Sequence, residues 1–249
     1  MDFHATYFGS STWLIEFRAF RILIDPWLKG DLFFSPPGPW LINGQLNREF
    51  DPPKKLDLLL LTQGLADHSH IPSLEILDRS IVSVGSPSAS KVLKQLNFQN
   101  VISLKPDENI KLGKLSIEAT AGANVPGLEN GYIVSNNEYS FYIEPHGFLD
   151  KKISARNLDV VISPVVNLQL PLVGAFIKGK TILPKLIELF NPKIVLASTT
   201  GGEANFTGIL NSLISVDGSI DEASQFIEGK ASFINPLVGK CYELKKYIK

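Results

Sequence analysis

With one cysteine in 249 residues, Cys241, the chain can form no internal disulfide and no cysteine-rich zinc site. Cys241 lies in the apolar-leaning stretch Leu237–Leu244, so it is expected as a small buried hydrophobe. Charge is also scarce: 20% of residues are charged, the formal net charge is −1, and the 24 lysines and arginines are thinly spread. Nothing here forms a basic track for a phosphate backbone, which argues against nucleic acid as a partner. Long hydrophobic runs are missing too. The most apolar one, Leu158 to Ile177, is interrupted by Pro164, Asn167, Gln169 and Pro171, and so falls short of the ~20 clean residues of a transmembrane helix. The opening Met-Asp-Phe-His has no basic segment followed by an apolar one, so no secretory signal is read. These absences fit a cytoplasmic protein.

What is present is 44% apolar residues, enough for a sizeable core. Ala5–Phe8, Thr12–Phe17 and Phe20–Ile24 read as strands, and Asp25-Pro26-Trp27 ends the third because proline cannot continue a ladder. Residues 28–55 form a long proline-rich loop carrying Phe33, Phe34 and Trp40; loops of that length are usually functional. The continuous apolar run Leu56–Leu61 reads as a strand buried on both faces, and it leads into Thr62-Gln63-Gly64-Leu65-Ala66-Asp67-His68-Ser69-His70. Pro72 begins a helical pattern that turns Leu74, Ile76 and Leu77 inward. Strand Ile81–Val84, helix Pro87–Leu96 and strand Val101–Leu104 continue an alternation that implies parallel pairing with helices outside. The second half repeats the order: strands at Lys114–Thr120, Tyr132–Ser135, Ser140–Ile143 and Val160–Ser163, an apolar loop Pro164–Gly179, helix Thr181–Phe190 stopped by Asn191-Pro192, strand Ile194–Ala197, and a helix around Ser219–Glu228. No linker separates the halves. The expectation is one domain over residues 1–249 with pseudo-equivalent halves, about 1–113 and 114–249.

Three segments together resemble the metallo-β-lactamase superfamily, nearest its ascorbate-phosphate lactonase-like branch. They are Tyr7–Glu16 with Arg21–Trp27, the apolar strand ending in Thr62 followed by Asp67-His68, and Phe141-Tyr142-Ile143-Glu144-Pro145-His146-Gly147. The resemblance covers nearly the whole chain. It implies an αββα sandwich of two mixed sheets, with the site at the edge where they meet. It also implies a two-metal histidine site that this chain cannot assemble. Gln63 and Leu65 stand where the family carries its first two metal histidines, and Ser10 stands where a histidine commonly follows glycine. No histidine occurs at Ala121–Asn124, and Ser198, Thr199 or Thr200 stands at the last ligand position. Asp67 and His68 remain in place.

Three of the four histidines, His68, His70 and His146, fall in the two segments that the fold would bring to one edge, with Asp67 and Glu144 beside them. One zinc or iron ion needs three protein ligands and an open position. Asp67, His68 and His146 are the candidate ligands, and His70, Glu144 or Asp67 itself the candidate bases. Such an ion activates water for attack on an ester, lactone or phosphoester. Each residue also has a plainer role: Asp67 as a helix cap, His68 packed at the sheet edge, His70 at the surface, His4 exposed at the start of the first strand. Gln63, Trp27, Thr199 and Thr200 are candidate substrate contacts, the two threonines in the polar stretch Ser198–Glu203 after a buried strand. The apolar stretches Trp27–Leu46 and Pro164–Ile177 would make a greasy mouth if exposed, suited to an apolar small-molecule substrate or a membrane surface; otherwise they pack together or bury in a homo-oligomer interface. Two readings stand: a metal-dependent hydrolase with a reduced site that holds one zinc or iron ion or none, or a catalytically inactive pseudoenzyme that keeps the fold as a binding or assembly module.

Overall fold

The computed structural model describes residues 3–18, 20–124, 127–198 and 204–248. The chain divides into two compact units, each assembled from separate stretches: residues 1–103, 201–214 and 237–242 in the first, and 104–200, 215–236 and 243–249 in the second. The division differs from the expected boundary near residue 113. The strand Asn109–Leu112 pairs with Leu115–Asn124 and so belongs to the second unit, while two later stretches return to the first.

Each unit is built on a seven-stranded mixed sheet. In the first unit the order is Cys241–Glu243, Phe3–Gly9, Thr12–Phe17, Phe20–Ile24, Leu58–Leu61, Val82–Gly85 and Val101–Ser103. Phe3–Gly9, Thr12–Phe17 and Phe20–Ile24 pair antiparallel, and from Phe20–Ile24 onward every pairing is parallel. The second sheet runs Ser232–Ile234, Ile194–Ser198, Val160–Pro164, Ser140–Ile143, Leu128–Ser135, Leu115–Asn124 and Asn109–Leu112, with its parallel pairings among the first four. This is the mixed α/β class of two large sheets that the sequence implies.

Local sequence explains the split. Leu58–Leu61, Val160–Pro164 and Ile194–Ser198 are buried at every residue, as parallel strands covered on both faces must be. Leu115–Asn124 instead alternates buried and half-buried over its first half. Parallel neighbours need crossovers. Helices Ile71–Glu75 and Pro87–Gln95 lie in two of them in the first unit, where Leu74, Leu77, Ala89 and Leu93 pack with Leu59 and Leu61; the long loop makes the third, between Phe20–Ile24 and Leu58–Leu61. Gly179–Phe190 and Ile220–Ile227 lie in crossovers of the second, covering Val161, Val195 and Ala197. Leu74 and Leu77 face inward as expected, but Ile76 is 39% exposed.

The two long apolar loops carry structure of their own. Within residues 28–55, Leu32–Phe33 and Asn43–Leu46 join Ala204–Thr207 in a small antiparallel sheet. The stretch expected as a loop from Pro164 is a hairpin, Asn167–Leu170 with Gly174–Lys178, whose tip residues Leu172 and Val173 are exposed. Cys241 is exposed, contrary to expectation, because it sits on the outermost strand of the first sheet. No helix among the described residues is long and apolar enough to cross a membrane.

Candidate metal centre

In the first unit, strand Phe20–Ile24 ends at Asp25, a fully buried residue with its backbone in the left-handed region (φ 42°). Both carboxylate oxygens of Asp25 are hydrogen-bonded. Thr62 N–H donates to Oδ1 at 2.8 Å, Thr62 Oγ1 donates to Oδ2 at 2.6 Å, and His68 Nδ1 lies 2.7 Å from the same oxygen. A buried carboxylate must be satisfied in this way or be neutralised. The contact sets the His68 tautomer: Nδ1 carries the proton and Nε2 faces the other way, 3.2 Å from Asp67 Oδ2. Burial alone would lower the pKa of His68, but the charges of Asp67 and Asp25 and their hydrogen bonds outweigh it and hold the imidazole well above its ordinary value.

His70 is buried rather than at the surface, and both of its nitrogens are engaged. Nε2 donates to the Asp31 carbonyl at 3.0 Å, which leaves Nδ1 to accept from Ser73 Oγ at 3.0 Å. Ser73 Oγ in turn accepts from Leu28 N–H at 2.7 Å and Lys29 N–H at 3.2 Å. Burial lowers the pKa of His70, so it stays neutral. Its geometry is that of a clamp on the start of the long loop, with no nitrogen left for a general base. Asp67 caps no helix: the helix begins at Ile71, and His70 occupies the capping position. Trp27, expected at a substrate surface, is 1% exposed and packs with Leu32, Ala204 and Phe206; its indole N–H donates to the Gly30 carbonyl. His4 is half-buried. Gln63 is buried at the exit of Leu58–Leu61, its carbonyl accepting from Ser69 Oγ at 2.6 Å.

In the second unit, Ser140–Ile143 ends in Glu144, also buried. One of its oxygens accepts the backbone N–H of His146 (3.1 Å) and of Phe148 (2.5 Å), so the carboxylate closes the turn that presents His146. Lys178 N–H fixes that turn from outside by donating to the His146 carbonyl at 2.8 Å. His146 Nδ1 lies 3.3 Å from Glu129 Oε2 and 4.0 Å from Glu144 Oε1. Glu129 is 2% exposed.

Asp25 and Glu129 are the two residues that sequence reasoning missed. An aspartate before proline at a strand end is the signal for Asp25, which the sequence reads only as the end of the third strand. Glu129 offered no comparable signal, since nothing in its neighbourhood marks it as facing His146, seventeen residues later. Thr199 and Thr200 lie outside the described residues; Ser198 before them is buried at the end of its strand.

Residues 4–198 match the family described as the beta-lactamase superfamily domain. The chain belongs to that superfamily. Solved structures share its fold at low identity. A possible metal-dependent hydrolase from Veillonella parvula aligns over 98% of this chain and 100% of its own, with a TM-score of 0.73 and 14% identity. An isothiocyanate hydrolase from Delia radicum gut bacteria aligns over 96% and 98%, with a TM-score of 0.69 and 17% identity. A diiron beta-hydroxylase from Streptomyces venezuelae aligns over 97% of this chain and 54% of its own, with a TM-score of 0.64 and 16% identity. No curated protein matches the chain by sequence.

Proposed function

We propose that this superfamily member is a metal-dependent hydrolase with a reduced site, in which Asp67, His68 and His146 hold one zinc or iron ion. The observation that carries the reading is a buried histidine beside a buried carboxylate at the end of a central strand in each unit. Asp25 is hydrogen-bonded to His68 Nδ1 at 2.7 Å, and Glu129 lies 3.3 Å from His146 Nδ1 as a near neighbour without a hydrogen bond to it. Carboxylates in that position fix ring orientation and raise the basicity of the other nitrogen, which is how metal-binding histidines are prepared. The donor set fits: two imidazoles and one carboxylate suit zinc or ferrous iron, and both histidines are buried.

An ion held there would supply Lewis acidity toward a carbonyl or phosphoryl oxygen and a lowered pKa for water. The protein's own part is positional. Asp25 keeps the Nδ1 proton of His68, Glu144 shapes the turn under His146, and Asp67 is the carboxylate that remains to take a proton from attacking water. His70 drops out as a base because its nitrogens are committed to Ser73 and Asp31. The resemblance of the opening strands to the lactonase-like branch and the hydrolases among the neighbours support an ester, lactone or phosphoester substrate. Exposed Phe33, Trp40, Leu172 and Val173 support an apolar one. A cytoplasmic location and a homo-oligomer remain part of the same proposal.

Metal analysis of chain purified without chelator should give about one ion per chain, lost in His68→Ala and in His146→Ala. Turnover of generic esters, lactones or phosphodiesters should stop on chelation. Substoichiometric metal, or metal unchanged in His68→Ala, would refute the proposal. The second reading, a pseudoenzyme, is favoured by Gln63 and Leu65 at positions where a metal site needs donors. It predicts neither bound metal nor turnover.

A further inference from the structure

Gln63 presents a problem that the proposed metal site does not solve. The residue is 1% exposed, yet neither its Oε1 nor its Nε2 has a hydrogen-bond partner among the described residues. Buried carboxamides are nearly always paired, and an unpaired one in a native protein calls for an occupant or a function. Chance looseness of the backbone does not account for it. The Gln63 carbonyl is held by Ser69 Oγ, the preceding Thr62 is fixed on Asp25, and the following Gly64 N–H donates to Ser88 Oγ at 3.0 Å. The backbone is therefore pinned within the hydrogen-bond web that orients His68, while the side chain's donor and acceptor are both left over.

A carboxamide is neutral and carries its acceptor and donor side by side. Its full complement is a group with a donor and an acceptor in the same arrangement: a primary carboxamide, a urea, or a lactam bearing N–H. An ester or lactone offers acceptors alone and leaves Oε1 unpaired. A carboxylate does the same and places negative charge near the carbonyl oxygen. Sites built around a hydrogen bond to N–H discriminate strongly against analogues lacking it, because the protein's own buried group then goes unsatisfied. We infer that Gln63 is a specificity-determining residue that selects a neutral substrate carrying an N–H amide or urea group for recognition. This rests on reading the His68 edge as the substrate site, and it concerns the recognised group rather than the bond that is broken.

The test compares 2-pyrrolidinone with γ-butyrolactone, a ring amide and ring ester of nearly equal shape, by ligand-observed NMR titration of the full chain. The wild-type chain should bind the lactam at least about 10-fold more tightly, and Gln63→Leu should bring the two within about 2-fold. Gln63→Leu should also melt at a higher temperature than wild type without ligand, since it removes an unpaired buried polar group, and should retain the same metal content. Gln63→Met serves as the second variant if Gln63→Leu does not fold. Equal or undetectable binding of the two rings by wild type would overturn the inference. So would a preference that survives in both variants, or loss of metal in either. Binding rather than turnover is read, so a chain without hydrolytic activity would sink the earlier proposal and leave this test standing.

Discussion

At His68 the proton is contested between burial and two carboxylates, and the carboxylates win. The sign of the consequence differs with and without metal. In the metal-free chain the folded pKa lies above the unfolded value of about 6.5. The stabilising contribution of His68 is therefore complete below that value and fades as pH rises through the folded one. His70 runs the other way: its folded pKa is depressed, so its contribution is present at neutral pH and lost as pH falls below the unfolded value. Melting of metal-free wild type, His68→Gln and His70→Gln from roughly pH 5 to 9 separates the two. The gap between wild type and His68→Gln should narrow with rising pH, and the gap to His70→Gln should widen; parallel curves would contradict both assignments. Metal requires the imidazole without its Nε2 proton, so metal affinity should weaken as pH falls through the raised value. Asp25→Asn tests the support behind the ring. It replaces an acceptor by an amide in front of a buried histidine, and breaking such a pair costs about 3–5 kcal/mol. Metal affinity should drop about 10–100-fold. Denaturant midpoints and metal titration read the two effects.

The strands that carry the site were legible because their burial is written in composition. A run such as Leu58–Leu61 admits one reading, and Leu59→Ala should cost about 2–5 kcal/mol by chemical denaturation. Turns were harder to read, because what fixes them comes from distant sequence. Glu144-Pro145-His146 was visible as an unusual strand end, but beyond the local bonds to Glu144 it is also held by the N–H of Lys178, and no spacing rule points there. The capping role of Asp67 and the surface placement of His70 fail in the same way, being decided by where the short helix begins and by the Asp31 carbonyl. The hairpin Asn167–Lys178 was hidden because only its first strand, Asn167–Leu170, alternates, while Gly174–Lys178 shows no period of two. Gly147 offers a test of the His146 turn. Its φ is +71°, and an added Cβ would lie 2.6 Å from the backbone at Lys178 and Gly179. Gly147→Ala should therefore destabilise by at least about 2 kcal/mol and reduce metal content together with stability. Unchanged stability would show that this turn is not held as described.

Over the whole chain, the two units are not the two halves of the sequence. The chain passes between them after residues 103, 200, 214, 236 and 242. The family match ends at residue 198, yet later stretches complete both units. Ala204–Thr207 pairs with Asn43–Leu46, and Cys241–Glu243 covers the edge of Phe3–Gly9. Ile220–Ile227 and Ser232–Ile234 cover Ile194–Ser198 and its neighbours. A chain cut after Ser198 should expose the edges of Phe3–Gly9, Asn43–Leu46, Asn167–Leu170 and Ile194–Ser198 and part of a core, and so aggregate. Light scattering against the full chain decides it, and a monodisperse, cooperatively melting product would contradict the division described.

The outermost position of Cys241 has a practical side. As the sole thiol of the chain, standing in solvent at the rim of a sheet, it should take up one maleimide per native chain without prior unfolding. A fluorophore or spin label can therefore be placed at one known point with no engineering, and air oxidation should yield a covalent pair of chains, visible on a non-reducing gel and abolished by Cys241→Ser.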